Sequence, residues 1–168
     1  MATTFTLIEA KTLSSNAATV SFTSIPATYT DLKMMALVRT TRSAVEENMY
    51  LYCNANDSGV GKFLYGQNSV TDSFGAADAF KLDVVGATAT ANSFSPVSFY
   101  ICNYAKTTQP KNIGVFAGRE TNTAADGRVW LNSAFWNDNA AVSSINMRLQ
   151  FANFVSGCQF YLYGISNA

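Results

Sequence analysis

Apolar and polar residues alternate with a period of two along most of this chain, which places successive side chains on opposite faces of an extended backbone. Phe5, Leu7 and Glu9 alternate with Thr6 and Ile8, and Val20 and Phe22 alternate with Thr19, Ser21 and Thr23. Met49, Leu51 and Cys53 oppose Tyr50 and Tyr52; Phe80, Leu82 and Val84 oppose Lys81 and Asp83. Val97, Phe99 and Ile101 oppose Ser98, Tyr100 and Cys102. The theme returns at Ile113 and Val115, at Val129, Leu131 and Phe135, and at Ile145, Met147, Leu149 and Phe151. In the closing "CQFYLYGIS", Phe160 and Leu162 face one way and Tyr161 and Tyr163 the other. These segments predict roughly ten strands, separated by turn-rich pieces such as "NANDSGVG", "SVTDSFGAAD", "YAKTTQPKN" and "NTAADG".

One segment is apolar on both faces. In "LKMMALVR", Leu32, Met34, Ala36 and Val38 share one side, while Met35 and Leu37 lie with Lys33 and Arg39 on the other. Leu, Met, Ala and Lys all favour a helix by propensity. The "SIP" turn before the segment and Thr40 and Thr41 after it favour a strand with one face in the core and the other partly covered. Many short strands with few helices define an all-β protein, an antiparallel sandwich or barrel. No linker or shift of composition divides the chain, so residues 1–168 read as one domain.

Composition narrows the function. Charged residues make up 13%, against roughly 25% in typical soluble domains. Ser, Thr, Asn and Ala take their place, and neutral polar groups desolvate more easily than charges, which suits large contacts with protein. Eleven basic residues balance eleven acidic ones, which argues against nucleic acid. No apolar run is long enough to span a membrane, and "MATTFTLIEAKT" lacks the regions of a signal peptide and resembles a mature cytosolic start. Cys53, Cys102 and Cys158 are widely spaced within alternating segments and read as buried thiols.

Catalysis has little to stand on. The chain has no histidine, the commonest general base and zinc ligand. A glycosidase would need two facing carboxylates drawn from Glu9, Glu46, Glu47, Asp83 and Glu120. No enzyme activity, metal or cofactor is expected. "NANDSG" offers Asn54, Asn56 and Asp57 as oxygen ligands, but lacks the series that ends in a bidentate glutamate and reads as a tight turn. Tyr50, Tyr52, Tyr100, Tyr104, Trp130, Trp136, Tyr161 and Tyr163 fall opposite the expected core positions. Such a second face serves protein contact or carbohydrate stacking, and "FWNDN" supplies Trp136, Asn137 and Asp138 for a glycan.

The stretch "FTSIPATYTDLKMMALVRTTR", preceded by "MATTFTLIEAKTL", resembles a segment of small structural proteins of tailed bacteriophages. The likeness continues in "FLYGQNS", in "GATATANSFSPVSFYICNYAKTTQPK" and in "FWNDNAAVSSINMRLQFANFVSGCQFYLYGISNA", and so covers most of the chain. Cys102 departs from the family's usual proline, and "SGVGKFLYG" is shorter than the family's Gly- and Ser-rich insert. The resemblance implies a jelly-roll-like β-sandwich in the virion and carries no catalytic residue. The expectation is a capsid decoration or cement subunit, made in the host bacterial cytoplasm and bound to the major capsid protein and to copies of itself, with a homotrimer fitting a threefold site. Tyr50, Tyr52, Tyr100, Tyr161 and Tyr163 would make the contacts, with Arg39 and Arg42 as rim charges. The alternative is a tail-fibre or baseplate module that binds host glycan through Trp136, Asn137 and Asp138.

Overall fold

The computed structural model describes residues 4–56, 59–67, 70–76, 80–120 and 127–166. The strands are β1 (Phe5–Thr12), β2 (Thr19–Phe22), β3 (Asp31–Val38), β4 (Glu46–Cys53), β5 (Gly59–Gln67) and β6 (Val70–Ala76). They continue as β7 (Lys81–Val85), β8 (Ser95–Ile101), β9 (Lys111–Arg119), β10 (Arg128–Trp136), β11 (Ile145–Leu149) and β12 (Gln159–Ile165). "DLKMMALV" is strand β3, so its helical propensity yields to pairing on both edges, with β12 and β8. Two strands fall outside those the alternation predicts: β6 lies within "SVTDSFGAAD" and β5 begins in "NANDSGVG", both read as turns, because their glycines mask the alternation.

The protein is an all-β antiparallel sandwich of jelly-roll-like build. An eight-stranded sheet has the order β1-β12-β3-β8-β9-β10-β5-β6, and a four-stranded sheet has the order β2-β11-β4-β7. Consecutive strands β1/β2, β3/β4, β7/β8 and β11/β12 each divide between the two sheets. A pairing made in one layer is therefore echoed in the other: β1 with β12 and β2 with β11, then β3 with β8 and β4 with β7. Neither sheet can form from one local hairpin, so the termini must meet before the sandwich closes.

The core lies between the sheets. Leu32, Met34, Ala36 and Val38 of β3 face Met49, Leu51 and Cys53 of β4, with Phe99, Phe160, Leu162, Ile145 and Met147 filling the same layer. Each Val, Leu, Ile, Met or Phe among them contributes about 1.5–3 kcal/mol on burial. Phe154 and Phe160 meet edge to face at 5.4 Å, and Phe63 and Trp130 at 5.7 Å. Gly164 of β12 lies directly under the Tyr29 ring, where any side chain would collide.

Two strands face opposite to the alternation reading. In β10, Trp130, Asn132, Ala134 and Trp136 point inward, while Val129, Leu131 and Phe135 point to solvent. Both faces of β10 are apolar, and each indole buries more area than a Val, Leu or Phe side chain. In β1, Phe5 and Leu7 are exposed while Ile8 packs on the core, and a bulge between Leu7 and Glu9 shifts the register.

Candidate functional site

The expected contact tyrosines do not form one patch. Tyr50 and Tyr52 stand half-buried on the outside of the small sheet, their ring centroids 6.3 Å apart. The Arg148 guanidinium lies 4.5 Å from the Tyr52 ring centroid, and its Nε donates to the Tyr52 hydroxyl at 2.8 Å. Tyr100, Tyr161 and Tyr163 are half-buried on the opposite, outer face of the large sheet. The Tyr100 hydroxyl donates to Asp31 Oδ2 at 2.6 Å, a bond that holds its pKa up to about 12. The Tyr161 hydroxyl donates to Gln159 Oε1 at 2.9 Å.

Three of the other expected surface residues work inside the fold. Trp136 is fully buried and Trp130 nearly so, because β10 turns its indole face inward. Tyr104 is buried too; its hydroxyl donates to the Pro26 carbonyl and accepts from Tyr29 N at 3.3 Å. No sugar can stack on Trp136 in this position. Of the rest of that loop, Asn137 is exposed, while Asp138 accepts from Ala140 N at 2.8 Å and from Asn56 Nδ2 at 3.4 Å, which shapes the turn.

Arg39 is a clamp rather than a rim charge. Its Nη1 donates to the carbonyls of Thr90 at 2.7 Å and Ser93 at 2.9 Å, and its Nη2 to those of Ala87 at 3.0 Å and Ala89 at 3.2 Å. One guanidinium thus gathers four carbonyls of the β7–β8 connection, whose start is also held by backbone bonds to residues 42–45. Arg39→Lys keeps the charge but loses the fork, and is expected to cost about 1–3 kcal/mol and to speed amide exchange across residues 86–94. Unchanged exchange together with weakened association would return Arg39 to the rim. Arg42 donates to the Glu46 carbonyl at 3.1 Å, pairs with Glu47 at 3.5 Å and covers the Phe151 ring at 4.8 Å.

Three of the candidate carboxylates converge at one end of the sandwich. Asp83 meets Arg128 at 2.6 Å, and Glu46 meets Arg119 at 3.0 Å and Arg128 at 3.9 Å. Glu47 is fully buried and also accepts from Asn48 N at 2.8 Å and Phe151 N at 3.3 Å. Arginines hold all three acids, which is an ion-pair network and not a pair of free acids around a cleft. Glu9 pairs with Lys11 at 2.8 Å on β1, and Glu120 is exposed beyond β9.

Among the described residues no three His, Cys, Asp or Glu side chains gather as metal ligands. Asp57 of "NANDSG" lies outside the described residues. Asn54 brackets the neighbouring turn, accepting from Ser143 N at 2.9 Å and donating to the Ala141 carbonyl at 2.8 Å. Cys53 and Cys158 are buried and free, and burial pushes the Cys53 thiol up to about 12. Cys102 is free and only half-buried.

Alternation pointed to a tyrosine-rich second face; the structure instead exposes aliphatic and phenyl side chains. On the outside of the large sheet, Met35, Leu37, Leu64, Phe116, Val129 and Leu131 are 41–52% exposed. Register aligns four of them with Tyr161 and Ser98 into a row across six strands: Tyr161, Met35, Ser98, Phe116, Leu131, Leu64. A groove of about 320 Å³ runs through this row between Met35, Leu37, Pro96, Ser98, Phe116 and Tyr161. Exposed apolar side chains set next to one another in this way mark a surface for contact with protein, unlike the scattered single exposures of an ordinary surface. The signal in the sequence was the two-sided apolar character of β3 and β10.

These features define a β-sandwich with one broad apolar outer face. No protein-family model matches the sequence, and no curated protein matches it. Among solved structures the chain is similar to an exo-inulinase from Aspergillus awamori, with TM-score 0.50, 10% identity, 96% of this chain and 29% of the inulinase covered. It thus spans under a third of the inulinase's length. It is also similar to the Caenorhabditis elegans galectin LEC-6, with TM-score 0.35, 6% identity, 94% of this chain and 96% of the galectin covered. The alginate lyase Aly36B aligns with TM-score 0.30 and 8% identity over 91% of this chain and 78% of the lyase. At these identities the likeness concerns the fold alone.

Proposed function

We propose that this chain is a virion structural protein of a tailed bacteriophage, a decoration or cement subunit bound on the outer capsid surface. The observation that carries the reading is the apolar, charge-poor outer face of the eight-stranded sheet, which calls for burial against protein, a capsid neighbour or a further copy of this chain, as in a subunit that works only within an assembly. The sequence resemblance supplies the virion as the setting. A subunit of this kind stabilises a shell by binding the assembled state at capsomer junctions and not the dissociated one. Particles assembled without the protein are expected to lose their DNA at lower temperature and under milder osmotic shock than complete ones. Equal resistance of the two would overturn the reading. The alternative, a tail-fibre or baseplate module for host glycan, loses its stacking residue with the burial of Trp136.

A further inference from the structure

The outer face of the large sheet is complementary to itself. Across the β8–β9 seam, outward residues come in pairs of one large and one small: Phe116 beside Ser98, Tyr100 beside Gly114. Pro96 likewise flanks Gly118, its ring 3.4 Å from where a Cβ would stand. Nothing lies within 4 Å of the corresponding point on Gly114, which leaves an open hole beside Phe116.

We propose that a second copy of this chain docks on this face, about a two-fold axis running along the strands between β8 and β9. That axis exchanges β8 with β9. Phe116 of each copy then enters the gap over Ser98 of the other, Tyr100 covers Gly114, and Pro96 covers Gly118. Further out the same operation sets Met35 on Leu131 and Tyr161 on Leu64. Lys33 lands over Ser133 and Lys62 over Tyr163, so the lysines of these rows never meet and one gains an aromatic face. A large residue beside a small one on either side of a two-fold axis interlocks with its own copy, whereas an unrelated flat surface leaves the gaps over Ser98 and Gly114 open, which is why the occupant is this chain.

The area suffices. Six strands about 4.8 Å apart and three outward rows about 6.8 Å apart cover roughly 600 Å² in plan, and side-chain relief brings this close to the about 800 Å² per partner of a stable interface. Two such sheets pack aligned at about 10 Å, the geometry of sandwich interiors. The pairing rests on the reading of this face as an interface and not on the virion. A dimer takes the place of the trimer suggested by a threefold capsid site.

Sedimentation velocity of the purified full-length chain at micromolar concentration tests this. The wild type is expected to sediment as a dimer, and Phe116→Glu to raise the dissociation constant by roughly 30-fold or more while circular dichroism stays unchanged. Ser98→Phe alone fills the gap and also weakens pairing. The exchanged double variant, Ser98→Phe with Phe116→Ser, restores the dimer, an outcome that general stickiness does not produce. A monomeric wild type, a dimer indifferent to Phe116→Glu, or no recovery in the exchanged variant would overturn the proposal. Incorporation into particles is scored separately. A wild-type dimer absent from particles would remove the decoration reading and leave the pairing intact; a monomeric wild type on particles would do the reverse.

Discussion

Replacing Trp136 with alanine is expected to lower the unfolding free energy by about 4 kcal/mol, a fall of roughly 8–16 °C in melting temperature for a chain of this size. The indole ends β10 inside the core, fully buried. Its face also shelters the Lys111 ammonium, 5.7 Å from the ring centroid, which donates to the carbonyls of Gln109 at 2.7 Å and Asn139 at 3.3 Å. Burial already lowers the Lys111 pKa, with Asp138 and Cys53 pulling the other way, so the group has no spare stabilisation to lose. Trp136→Phe keeps a ring over the ammonium and is expected to lose about half as much. A glycan-stacking tryptophan would behave oppositely, with stability intact and ligand lost. A melt of Trp136→Ala that superimposes on the wild type would place the ring outside the core.

The second large effect is at Arg128. Arg128→Met removes the nearest cation from the buried carboxylate of Asp83, and is expected to cost about 3–5 kcal/mol at neutral pH. It also removes the Nε bond to Gln67 Oε1 at 2.9 Å and the guanidinium packing 5.0 Å from the Tyr65 ring centroid. Burial raises the Asp83 pKa above its ordinary 3.8, Glu46 adds to this, and Arg128 and Arg119 oppose it. Without Arg128 the pKa rises further. Between the unfolded value and the raised folded one, the folded state binds more protons than the unfolded state, so the Asp83 contribution gains stability as pH falls. The deficit of Arg128→Met is therefore largest at neutral pH and shrinks toward about pH 4. Urea melts of both proteins across that range measure it. A deficit independent of pH would mean that Asp83 is not the group left exposed by the change.

The strand interiors were legible because burial on one face leaves a period of two. Residues 49–53, 97–101 and 145–149 carry that pattern, and their buried sets are those the alternation assigns. Where both faces are apolar, periodicity finds the strand but not its orientation. In β10 the choice between Val129, Leu131 and Phe135 and the two tryptophans was settled by which set filled the space over Phe63 and Ile113. Polar residues misled in the same way. Asp83 alternates outward in sequence yet is buried, because Arg128 reaches it from a strand 45 residues away. Arg39 looked like a surface charge because its four acceptors are backbone carbonyls, which no side-chain pattern records.

The sequence by itself determined an all-β chain with thin charge, no histidine, and strands whose alternation demands a two-layer core. These are local properties, set by side-chain chemistry and by a backbone that turns successive residues to opposite sides. Which face of each strand meets the core, and which residues gather on the surface, was decided only by the tertiary structure. Pairing of β1 with β12 and β3 with β8 brings together segments far apart in the chain, and that register alone aligns Met35, Ser98, Phe116 and Leu131 into one row. The size complementarity across the β8–β9 seam exists nowhere in the linear order, because it is a relation between neighbours that hydrogen bonding of the sheet creates.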